Sequence, residues 1–125
     1  MVRESVLVMV GGALGSLARY WVGLGISQWA GAPPFLFGTL LVNLVGSFML
    51  GGLFAWSVAL RIDPALLLLA GTGFCGGFTT FSALSIECLV LLQKGDYPTA
   101  MGYLLGSLLG GLAAGWAGYL AAKAL

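Results

Sequence analysis

Apolar positions run through this chain in four long stretches, at about 5–29, 35–60, 64–93 and 97–122, each longer than the roughly 20 residues that carry an α-helix across a bilayer. Three short connections separate them: Gly31-Ala32-Pro33-Pro34, Arg61-Ile62-Asp63-Pro64 and Lys94-Gly95-Asp96-Tyr97-Pro98. These connections hold most of the turn-forming residues and leave no room for a soluble domain. The pattern predicts an all-α membrane protein: one four-helix transmembrane domain over residues 1–125, with both termini on the same side.

The third stretch contains a polar, glycine-rich cluster, Gly71-Thr72-Gly73-Phe74-Cys75-Gly76-Gly77-Phe78-Thr79-Thr80-Phe81-Ser82, where a spanning helix should be most regular. Glycine and paired threonines are poor helix formers. Irregular backbone at bilayer depth survives only where protein buries it or where it lines a watery cavity. The cluster therefore predicts a helix break near the midplane and an ion or substrate site beside it.

Composition agrees. Hydrophobic residues make up 60% of the chain and charged ones 7%, with a mean hydropathy of +1.05. Soluble domains carry about 25% charged residues. A net charge of +1 gives no basis for a nucleic-acid partner. Cys75 and Cys88, with no histidine, form no zinc or redox motif and read as small buried hydrophobes. The first stretch starts after Arg3 as a signal peptide would, but Arg19 interrupts it and Tyr20-Trp21-Val22-Gly23-Leu24 resumes it, so the segment is expected to be retained.

Arg3, Arg61 and Lys123 fall on one membrane face and Lys94 on the other, a weak bias that favours cytoplasmic termini yet is compatible with insertion both ways. Four helices in one small subunit hardly enclose an aqueous path, so oligomerisation is expected. Gly11/Gly15, Gly102/Gly106/Gly110 and Gly111/Gly115 supply spacings for close helix contact, between subunits or within one.

Thr39, Asn43 and Ser47 share one helix face. Thr39 and Ser47 fit hydrogen bonds between helices or a lining role. Asn43, costly to leave unpaired in the bilayer, points to a pore or vestibule. Tyr103 and Ser107 also share a face, either as an anion-facing hydroxyl track or with the serine bonded back to its own helix. Arg19 lies deep in the first helix, where a fixed positive charge raises local anion concentration. Glu87 fits an ion pair or a vestibule wall. Phe78 and Phe81 fit packing, or ring edges whose partial positive charge faces an anion.

These blocks, Gly11-Gly12 with Gly15 and Arg19, Gly38-Thr39-Leu40-Leu41-Val42-Asn43 with Gly46, and Gly73 through Ser82, resemble the signatures of the CrcB/Fluc fluoride channel family, in order over nearly the whole chain. The resemblance implies a fluoride-selective channel in the bacterial cell membrane that lets fluoride leave the cytoplasm passively. It implies two antiparallel, dual-topology four-helix subunits, most simply a homodimer, with a structural sodium ion at the centre on the backbone carbonyls of Gly76 and Thr79. By the same resemblance Phe81 is the first ring of a phenylalanine box, Thr80 and Ser82 are local hydroxyls, Asn43 is the vestibule amide and Arg19 the basic residue of the first helix. Tyr103 and Ser107 match a polar track, and Thr39 joins the pathway beside Asn43.

The chain departs from the family at Ala83 and Leu84, where a threonine and a second phenylalanine are usual. Three explanations follow: one ring suffices, conductance is reduced, or the subunit works in a heterodimer. A small dimeric proton-coupled multidrug exporter is the rival from another class, but it needs a carboxylate in the first helix, where Arg19 stands and Glu4 is only terminal. No nucleophile, base and orienting group converge as an enzyme would require.

Overall fold

The computed structural model describes residues 1–29 and 34–125; the connection through Gly31, Ala32 and Pro33 lies outside them. Helix α1 covers Val2–Trp29 and α2 covers Pro34–Val58. The third span, Pro64–Gln93, begins as α3 (Pro64–Leu67), widens into a π-helical stretch (Leu68–Cys75), tightens into α4 (Gly76–Phe78) and resumes as α5 (Phe81–Gln93). Helix α6 covers Tyr97–Ala124. All four spans are long and apolar enough to cross a membrane, and the described residues contain no strand.

The boundaries follow from local chemistry. Asp63 caps α3, accepting from the Ala65 amide at 2.7 Å, with Pro64 at the first helical position where a missing N–H costs nothing. Gly95, at φ +75°, turns the chain between α5 and α6 in the left-handed region that glycine enters without strain. Asp96 then caps α6 through the Thr99 amide. Across the Gly/Thr cluster the helix does not dissolve: Gly71–Cys75 stays wound with π geometry, and only Thr79 (φ −87°, ψ 157°) and Thr80 (φ −152°, ψ 118°) are extended.

Two kinds of contact hold the spans together. Helix α1 lies backbone to backbone against the first half of the third span. A Cβ on Gly11 would run into the Leu69 carbonyl, one on Gly15 into the Phe74 carbonyl, and one on Gly73 would lie 2.9 Å from Gly11 Cα. Helices α2 and α6 meet similarly where Gly51 faces the Gly115 carbonyl and Gly118 the Phe48 carbonyl. The second half of the third span packs through side chains instead: Leu84 and Leu91 join Leu36, Ala100 and Tyr103 in a small core. The close-contact glycines thus divide: Gly11, Gly15 and Gly115 are used within this chain, while a Cβ on Gly102 or Gly106 would meet nothing within 4 Å.

Candidate functional site at the interrupted helix

When a helix is interrupted, backbone groups around the gap lose their partners, and at bilayer depth each must find another. The last regular bond before the gap runs from the Thr79 amide to the Cys75 carbonyl at 3.0 Å, and Thr79 Oγ1 donates to the same oxygen at 2.8 Å. Asn43, on α2, supplies what a neighbouring strand would. Its Oδ1 accepts from the Thr80 amide at 2.8 Å and its Nδ2 donates to the Thr80 carbonyl at 3.1 Å. Thr80 Oγ1 caps α5 by accepting from the Ala83 amide at 3.2 Å and lies 3.2 Å from Ser82 Oγ. Arg19, from α1, donates Nε to the Gly77 carbonyl at 3.0 Å.

Among the described residues, the carbonyl of Thr79, which lies outside any helix, accepts no hydrogen bond. Gly76 is exposed, and a Cβ there would meet nothing within 4 Å. No cluster of His, Cys, Asp or Glu able to hold a metal occurs among the described residues. A cation at this point would take hard oxygen donors from the backbone.

Two grooves flank the interruption. The first, about 520 Å³, is lined by Ser16, Arg19, Thr39, Thr80, Ala83 and Glu87 among others. Its polar wall is largely self-satisfied: Thr39 Oγ1 donates to Glu87 Oε1 at 2.7 Å, and Tyr103 Oη donates to Glu87 Oε2 at 2.5 Å. The two hydroxyls thereby direct their protons to the carboxylate. The terminal nitrogens of Arg19 donate to no group among the described residues, so its guanidinium keeps free donors at this groove.

The second groove, about 310 Å³, is lined by Asn43, Ser47, Thr80, Phe81, Leu84 and Ser107 among others. Ser107 is 8% exposed and its Oγ is buried without a partner. The serine is not bonded back to its helix. Phe81 is 74% exposed, whereas Phe78 is buried and stacked on Phe74 with ring centroids 5.4 Å apart. Of the two phenylalanines, only Phe81 offers a ring to this groove. Leu84 is 4% exposed and belongs to the core beside Tyr103.

The expected site residues therefore form connected sets. Asn43, Thr80, Ser82 and Arg19 gather at the interruption; Thr79 presents a free carbonyl there with Gly76 exposed nearby; Thr39 and Tyr103 meet at Glu87; Phe81 and Ser107 line the second groove. Glu87 is the organising group that pattern reading left open. Its signal was a lone carboxylate inside an apolar span, but the partners on α2 and α6 follow only from the packing.

A family model described as "CrcB-like protein, Camphor Resistance (CrcB)" matches residues 6–119. The chain is 47% identical over 119 residues to "Fluoride-specific ion channel FluC" of Chlorobium chlorochromatii, covering 94% of this chain and 90% of that protein. It is 44% identical over 124 residues to the protein of the same name from Rhizobium leguminosarum bv. trifolii, covering 98% of both. With the protein of that name from Nitrobacter winogradskyi it shares 43% identity over 107 residues, 82% of this chain and 81% of the relative. With four membrane-spanning helices and a match across nearly its whole length, the chain belongs to the CrcB/FluC family.

Proposed function

We propose that this protein is a fluoride-selective channel that lets fluoride leave the cytoplasm passively, working as an antiparallel dimer of identical subunits. The names of its relatives support the substrate. The observation that carries the reading is the interrupted third span, whose freed backbone is clasped by Asn43 and Arg19 while open grooves run along both sides. A small, strongly hydrated anion needs donors in place of water. The free guanidinium nitrogens of Arg19 supply them at the first groove, and in the second the Ser107 hydroxyl and the edge of the exposed Phe81 ring supply them without trapping the ion as a full charge would.

The free carbonyl of Thr79, with that of the exposed Gly76, fits a sodium ion, which would supply positive charge to backbone oxygen in the membrane. Gly76 lies on an open face of the subunit, so a second copy bringing its own interruption to this face would complete the cradle.

The test is efflux from liposomes loaded with fluoride, followed by a fluoride electrode, beside chloride-loaded vesicles under the same imposed potential. Fast efflux confined to fluoride is expected. Chloride efflux at a comparable rate, or none of either ion from a well-folded dimer, would overturn the reading.

A further inference from the structure

A third groove, about 800 Å³, extends the second toward the membrane face that holds the end of α6, and the two share Ser47, Leu50, Gly111 and Leu112. Ser47 is the polar residue at this junction. Among the described residues its hydroxyl makes no hydrogen bond, although Thr39 on the same helix is bonded to Glu87. Ser57, farther along α2, lines the third groove and its hydroxyl is likewise without a partner. An unpaired hydroxyl in hydrocarbon is unfavourable unless something passes or rests beside it.

Space and charge point the same way. The glycines let α2 and α6 approach yet keep the groove open: a Cβ on Gly111 would lie 3.7 Å from Ser47 Oγ. The groove continues past Phe54 and Trp116 to Tyr119, where Lys123 Nζ sits 6.0 Å above the Tyr119 ring. A cation at that mouth raises the local concentration of anions. Ser47 and Ser57 are separated by about 15 Å along α2 at the helical rise, enough to carry a path from the interruption toward the interface.

We propose that the anion path runs from Ser107 past Ser47 into this third groove and leaves beside Ser57 and Tyr119, with Ser47 as the hydroxyl that hands the ion from one groove to the next. This rests on the channel reading above. Ser47→Ala removes the donor and leaves the shape. Its fluoride efflux is expected to fall about tenfold, the size of one lost hydrogen bond to a charged group, with an unchanged elution profile. Gly111→Val, whose Cβ meets no atom closer than Ser47 Oγ, is expected to fold and to block the junction.

Wild-type efflux with unchanged efflux from Ser47→Ala would overturn the path and leave the channel reading standing. A Gly111→Val protein that elutes as a monomer would show that a second subunit fills the groove, and would also overturn it. Absence of efflux from the wild type would bring down the channel reading and this path together.

Discussion

The two halves of the third span are held in opposite ways. Before the interruption, Gly11, Gly15, Gly73 and Gly77 bring α1 and the third span into backbone contact, and a Cβ on Gly77 would lie 3.0 Å from Ser16 Oγ. After it, α5 is held by side chains: Leu84 and Leu91 in the small core, and Glu87 between Thr39 and Tyr103. Backbone contact has one geometry and no slack, whereas side chains repack. The first half is thus a fixed platform for Gly76 and the free Thr79 carbonyl, and the second an adjustable wall for the grooves.

The sharpest way to break this contrast is to add volume to the platform. Gly15→Val would drive its side chain into the Phe74 carbonyl, which cannot rotate aside. We expect a loss of more than about 3 kcal/mol, seen as aggregated protein on size-exclusion chromatography. A folded, conducting Gly15→Val protein would show that α1 and the third span are not in fixed contact.

Asn43 joins the halves, and its removal ranks next. Asn43→Ala leaves the Thr80 amide and carbonyl unpaired, on the order of 2 kcal/mol for two part-buried groups. Fluoride efflux should fall at least tenfold while the protein still elutes as an assembly, with a lowered melting temperature. Asn43→Asp separates the two bonds, since a carboxylate still accepts from the Thr80 amide but cannot donate to its carbonyl. Equal efflux from wild type and Asn43→Ala would mean that the clasp is dispensable.

What the sequence disclosed and what it hid divide along similar lines. Spans, turns and the irregular cluster were legible because hydropathy, glycine and proline act locally. Partners were not. Arg19 meets the Gly77 carbonyl 58 positions away, a contact no spacing rule contains. Thr39, Asn43 and Ser47 look like one stripe, but each four-residue step overshoots a full turn by about 40°. The stripe therefore winds round α2, with Thr39 reaching Glu87, Asn43 reaching Thr80 and Ser47 lying near Gly111. The glycine spacings were ambiguous for the same reason: a small residue every four positions marks a close approach without naming the helix that approaches.

The smallest expected effect tests the adjustable wall. Leu84→Phe would supply the second ring that the resemblance to the family leads one to expect, yet Leu84 is 4% exposed and packed with Leu36, Leu91, Ala100 and Tyr103. The larger ring must either displace that cluster, at a cost of about 1–3 kcal/mol, or swing into the second groove, which Leu84 also lines. If α5 is held by side chains that repack, the variant should fold, lose a few degrees of melting temperature and keep fluoride efflux within about threefold of wild type, a barrier change below about 1 kcal/mol. A variant that aggregates as Gly15→Val does would show that the second half is as rigid as the first. One that folds but no longer conducts would show that this pore is shaped around leucine, with Phe81 as its single ring.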